Sequence, residues 1–166
     1  MSKQTSAMYM RNFVFGVEDS LVSTLGLLSG VATAGLPKME IFWVGIILIF
    51  VEAFSMSVGS YLSEGLSDNY LSHKGKKQNI QTIFAALIML GSYFLSGFIP
   101  LGPYLLFDIQ TAFVVSIVLS LLALFVLGFT GARLFHLNSI KNGIKTLTMG
   151  GGALVVGILV GKYLGS

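Results

Sequence analysis

The chain has 166 residues, 54% hydrophobic and only 10% charged, with a mean hydropathy of +0.85 and a net charge of +3. A soluble domain carries about 25% charged residues, so the composition excludes a soluble monomer and leaves an integral membrane protein built as one bundle. There are no cysteines, which excludes disulfides, thiolate metal sites and cysteine nucleophiles, and the small net charge gives no reason to expect a nucleic-acid partner.

In chain order, the segment Met1 to Asn12 is polar. No cleavable signal peptide is expected, because the apolar stretch that follows is too long for a signal core. Five segments then qualify as membrane spans. They run from about Phe13 to Leu36, Ile41 to Leu62, Thr82 to Ile99, Thr111 to Phe129 and Leu147 to Leu164. Each is near the roughly 20 residues that a spanning helix needs. Short alternating strands of the barrel type are absent, so helices are the expected element. The fold class is an all-α integral membrane protein, a single five-helix domain over residues 1–166. Gly35-Leu36-Pro37 and Pro100-Leu101-Gly102-Pro103 supply the breaks after the first and third spans. The stretch 64–79 is a short loop, too small for a separate domain.

Basic residues alternate between the connections. Lys3, Arg11, Lys74, Lys76, Lys77, Arg133, Lys141 and Lys145 fall on one side, against Lys38 and Lys162 on the other. This eight-to-two bias places the N-terminus in the cytosol and the C-terminus outside. Trp43 and Tyr104 are expected at the outer interface, as in aromatic belts. Lone His73 and His136 read as solvated loop residues. Gly26 and Gly30 in span one, and Gly157 and Gly161 in span five, have the four-residue spacing that lets helix backbones approach closely in lipid. They serve packing within one subunit or a contact between two.

Glu52 is the only charge in the segment Ile41–Leu62. A carboxylate at mid-bilayer costs roughly 2.5–3.5 kcal/mol on insertion scales. No Lys or Arg lies within a span except Lys162 near an end, so the carboxyl is protonated, hydrated in a cavity, or bound to a cation. Alternation between proton and cation would exchange a metal for a proton. Glu52, Met56, Gly59, Ser60 and Ser63 share one helical face, with Met56 one turn from Glu52. Carboxylate with thioether suits a borderline transition metal better than Mg²⁺ or Ca²⁺. In span one, Asp19, Ser23, Gly26 and Gly30 share a polar, small face. Glu18 caps the helix near the headgroups or joins the path. Glu64 and Asp68 are either solvated at the interface or collect cations at the mouth. The metal candidates are thus Asp19, Glu52 and Met56, with Glu18, Ser23, Ser60, Glu64 and Asp68 as path or mouth residues. No catalytic constellation appears, so no enzyme is expected.

Several runs together resemble the vacuolar iron transporter family. The run from Arg11 to Ser23 (RNFVFGVEDSLVS) is similar to that family's first span, close to RDFVFGxNDGLVS. Ser55 to Ser63 (SMSVGSYLS) resembles its SMxxGxYLS pattern, Phe98 to Tyr104 its IPLxPY turn, and Leu127-Gly128 through Ala132-Arg133 its LGxxxAR end. The resemblance implies five transmembrane helices, a homodimer with a path lined by the first two spans, and proton-coupled movement of Fe²⁺ or Mn²⁺ out of the cytosol. It also carries Asp19 and Met56 over as metal-path ligands. The chain departs from the pattern at Glu18 (commonly Asn) and Ser20 (commonly Gly). Leu48 stands where some members have a Glu, and Ser60 where members often have an acid. Founding members carry a cytosolic metal-collecting domain where this chain has only Tyr70 to Gln78.

The expected function is export of Fe²⁺ or Mn²⁺ from the cytosol in exchange for protons, with the metal as substrate and no permanently bound cofactor. The partners are divalent metal ions, protons, the lipid bilayer and a second copy of the chain. The membrane is expected to be a prokaryotic plasma membrane, with the vacuolar membrane as the alternative. The competing reading is a membrane scaffold or regulatory subunit whose buried carboxyls only hydrogen-bond between helices.

Overall fold

A computed structural model describes residues 3–72, 80–134 and 137–165, with nothing said of the side chains of residues 68, 69, 71 and 72. Every described element is helical: α1 (Lys3–Thr33), α2 (Lys38–Ser72), α3 (Ile80–Leu101), a single turn α4 (Pro103–Leu106), α5 (Ile109–Leu134) and α6 (Ser139–Leu164). Five of these are long and apolar enough to cross a membrane. All five spans expected from the sequence are present, and their ends reach further than the apolar windows. α1 begins ten residues before Phe13, because polar Lys3 to Asn12 contains no helix breaker. α2 continues through Ser72, so residues 64–72, expected as loop, are helix. His73, Lys74, Lys76, Lys77 and His136 lie outside the described residues. Asp68 falls within α2, and its side chain is outside the described set.

α1 is the central helix and packs against α2, α3, α5 and α6. It ends in a Schellman motif: Leu36 N–H donates to the Val31 carbonyl and Gly35 N–H to that of Ala32, each at 3.2 Å. Gly35 takes the required positive φ of 87°. Pro100 is tolerated near the end of α3, and Pro103 opens α4 at a position whose N–H needs no partner. Asp108 caps α5 by accepting from Thr111 N–H at 3.1 Å, and Asn138 caps α6 by accepting from Lys141 N–H at 3.1 Å.

The apolar core lies toward the α4 end, where Leu28, Ile41, Ile49, Leu101, Tyr104 and Ala112 meet. Trp43 is 56% exposed, in keeping with a lipid-facing belt position, but Tyr104 is only 1% exposed and belongs to this core instead. Its phenol is pushed by burial from the ordinary 10.0 up to about 12. It has no hydrogen-bond partner among the described residues.

Polar side chains bind the helices together elsewhere. Ser57 donates to the Ala86 carbonyl (3.0 Å) and joins α2 to α3. Ser116 donates to the Pro100 carbonyl (2.7 Å) and joins α5 to α3. Thr146 donates to the Leu124 carbonyl (2.7 Å) and joins α6 to α5. In hydrocarbon, where apolar burial gives little drive for helix association, such bonds and close packing take its place. The glycines of α1 and α6 settle their two possible roles in favour of packing within one subunit. A Cβ on Gly157 would strike the Gly26 carbonyl, and one on Gly161 the Gly30 carbonyl. The two backbones touch along this seam.

Candidate metal path between α1 and α2

α1 and α2 run antiparallel, and two pairs of residues mark their register. Near the N-terminal end of the bundle, Ser60 Oγ donates to Asn12 Oδ1 at 2.5 Å. Deeper in the bundle, Asp19 and Glu52 lie within electrostatic reach of each other. Both are half-buried. The step from Asn12 to Asp19 along α1 matches the return from Ser60 to Glu52 along α2. Met56, also half-buried, lies on α2 between these two levels. The structure therefore brings together the two acids that the sequence singled out, with the thioether one turn from Glu52.

The other candidates separate into three groups. Ser23, one turn beyond Asp19, lies with its Oγ 2.7 Å from the Tyr93 hydroxyl of α3. Ser60 and Glu64 belong to a network at the N-terminal end of the bundle. Glu64 Oε1 accepts from Asn12 Nδ2 at 3.1 Å and forms an ion pair with Arg11. Asn12 Nδ2 also donates to the Met8 carbonyl at 3.0 Å. Glu64 is thus buried and paired rather than solvated. Glu18 lines an open surface groove of about 300 Å³ with Ala7, Met10, Arg11, Val14 and Phe15, which sets it apart from the Asp19–Glu52 pair.

Tyr93 escapes a reading by charge or motif, because a tyrosine within an apolar span passes for packing. It is fully buried, and its phenol lies within electrostatic reach of both Asp19 and Glu52. Ser20 likewise gains a role. Its Oγ donates to the Tyr93 carbonyl at 2.7 Å, so the residue that stands where the resembled family commonly has Gly ties α1 to α3.

The electrostatics of the pair follow from what is missing around it. Among the described residues Arg11 pairs with Glu64, and no group of three or more His, Cys, Asp or Glu side chains forms a metal cluster. Asp19 and Glu52 are two acids, and the one basic side chain within the expected spans is Lys162, near an end of the fifth. Oxygen donors with a nearby thioether suit a borderline divalent metal.

A search of the curated proteins finds no match to this chain. The sequence profile of the VIT family matches residues 10–79 and 65–162, which between them cover most of α1 and α2 and reach into all five spans. The chain is a multi-pass membrane protein that belongs to the VIT family, a family of membrane metal-ion transporters.

Proposed function

We propose that this protein exports Fe²⁺ or Mn²⁺ from the cytosol in exchange for protons. The observation that carries the reading is the Asp19–Glu52 pair, two half-buried acids on the two facing helices, with no ion-pair partner for either among the described residues. In this reading Asp19 and Met56 take the dehydrating metal, and Glu52 holds metal and proton in alternation. Only one charge state is occupied at a time, so metal moving one way is matched by protons moving the other. The basic-residue bias supports an orientation with the N-terminus in the cytosol of a prokaryotic plasma membrane. The Arg11–Glu64 network, with Glu64 buried and Arg11 exposed, then lies at the cytosolic mouth.

The working unit in this reading is a homodimer. Ser55, Gly59 and Ser63 are exposed on α2, and nothing lies within 4 Å of a Cβ placed on Gly59. A strip of small and polar residues gains little from lipid and accepts a second backbone at close range. A second copy would also bring a second set of Asp19, Glu52 and Met56, which raises two acids to four around one path.

Proteoliposomes loaded with a pH-sensitive dye and exposed to Fe²⁺ or Mn²⁺ test the reading. Wild-type protein is expected to move metal with a counter-flow of protons, and Asp19→Asn and Glu52→Gln to reduce metal flux at least tenfold. Undiminished flux in both variants refutes the mechanism. Metal-independent melting of wild-type protein together with absent flux favours the scaffold reading.

A further inference from the structure

Helix α3 carries no charge between Thr82 and Ile99, yet it presents the Tyr93 hydroxyl to Ser23 of α1. The Tyr93 backbone is held by Ser20 Oγ and Ser96 Oγ, which both donate to its carbonyl, at 2.7 and 3.2 Å. One turn on, Gly97 brings α3 tightly against Ile49 of α2 and Ser20 of α1. The ring is fully buried, so its orientation is fixed by packing, and its hydroxyl reaches Ser23 Oγ at 2.7 Å.

Each hydroxyl has one proton and two lone pairs, and either partner can donate in this bond. Among the described residues Ser23 Oγ also meets the Ser20 carbonyl at 3.5 Å, at the long limit of a hydrogen bond. Tyr93 therefore decides where the Ser23 proton points. When Ser23 donates to Tyr93, its lone pairs turn away from the phenol. When Tyr93 donates, the Ser23 proton is free for a carboxylate oxygen. Exchange between the two states needs rotation about two C–O bonds and no displacement of a helix. Ser23 sits one turn from Asp19 on the same face, close enough for both side chains to touch one ion.

We infer that Tyr93 is a positioning residue that orients Ser23, so that Ser23 Oγ serves as a neutral oxygen ligand to the divalent cation held by Asp19 and Glu52. The inference rests on the transport reading above. It adds to that reading a hydroxyl ligand on α1 and a role for α3. Neutral oxygen from the protein replaces a water lost as the ion dehydrates, without adding a further negative charge.

The test is a double-mutant cycle on Mn²⁺ flux in proteoliposomes, with KM and maximal rate measured for Tyr93→Phe, Ser23→Ala and the double variant. Loss of one hydrogen bond to a charged site is expected to raise KM about five- to tenfold in each single variant. The double variant is expected to be no worse than Ser23→Ala, because Tyr93 acts only through Ser23. Ser23→Thr, which keeps the oxygen, is expected to restore a KM near wild type when Tyr93 is intact and not in Tyr93→Phe. Melting temperatures without metal are recorded for all variants, because a purely structural role shifts these and leaves KM alone. Multiplying effects in the double variant, or a wild-type KM in Tyr93→Phe, overturns the inference. A wild-type KM in Tyr93→Phe beside inactive Asp19→Asn defeats this inference alone, whereas full activity in Asp19→Asn defeats the transport reading beneath it.

Discussion

Glu64 is buried, and its carboxylate is satisfied by two donors on a neighbouring helix, Arg11 and Asn12. Removing the cation leaves a buried charge with one neutral partner, which is worse than removing the charge itself. Arg11→Ala is therefore expected to lower stability by about 1–3 kcal/mol, and adding Glu64→Gln to it to recover part of that loss. Thermal unfolding in detergent checks both, and full additivity of the two variants would contradict the pairing. The network also accounts for the absence of an acid at Ser60. There a hydroxyl bonds to Asn12, and the carboxylate sits one turn further along α2 at Glu64. Tyr104 is the opposite case, a buried hydroxyl with no partner among the described residues. Tyr104→Phe is expected to be neutral or stabilising by up to about 1 kcal/mol at neutral pH. The phenol titrates near 12 in the folded state against 10.0 ordinarily. Its protonated form is thus favoured by folding. The stability it contributes is complete below pH 10 and declines as pH rises from there toward 12. That part of the alkaline loss should be absent in Tyr104→Phe, and identical alkaline melting profiles would refute the assignment. Asp19 and Glu52 were legible in the sequence because a charge in an apolar segment is conspicuous. Tyr93 and the burial of Glu64 were not, because both depend on which side chain a second helix places opposite.

At the scale of the helices, the seam between α1 and α6 is made of backbone. Gly26, Gly30, Gly157 and Gly161 bring carbonyls to where side chains would otherwise stand. Gly151 and Gly152, also in α6, have nothing within 4 Å of a Cβ. Gly157→Ala is expected to destabilise by about 1–3 kcal/mol through overpacking. Gly151→Ala is expected to be neutral or slightly stabilising, since Ala is the better helix former. Equal melting temperatures for the two variants would show that the seam is loose. The four-residue spacing announced close approach of helices, and only the three-dimensional arrangement could name the partner, because spacing carries no address. The number of spans was legible for a simple reason: apolar length is a direct requirement of the bilayer. Their ends were not, because a hydropathy window stops where polar residues begin, while a helix stops only at a breaker. α1 thus has 31 residues and α2 has 35, about 46 and 52 Å at the usual rise, against a hydrocarbon thickness of about 30 Å. The four-residue turn α4 is too short for any periodicity to reveal.

For the molecule as a whole, the VIT family assignment and the five spans agree with the bundle expected from composition. The orientation and the dimer are tested together, and the absence of cysteine makes this simple. A single cysteine introduced at Ser6 is expected to react with an impermeant maleimide only from the cytosolic side. One introduced at Gly165 is expected to react only from the opposite side. A cysteine at Gly59 is expected to form a disulfide-linked pair on oxidation in the membrane, seen as a doubling of mass in gels run without reductant. Labelling of Ser6 and Gly165 from one face would overturn the five-span crossing. Monomers alone at Gly59 would remove the dimer path, and with it the four-acid site.

The seam between α1 and α6 has a mechanical consequence. Side chains at an interface act as springs, since each can change rotamer and let its helix slide. Where backbone meets backbone there are no springs, so α1 and α6 form a single lever arm. Asp19 rides on that arm. The lipid-facing residues of α6, such as Val155 and Leu159, are exposed and lie far from the acids in sequence. A spin label at Leu159 should therefore report any displacement of Asp19 during transport without touching the path.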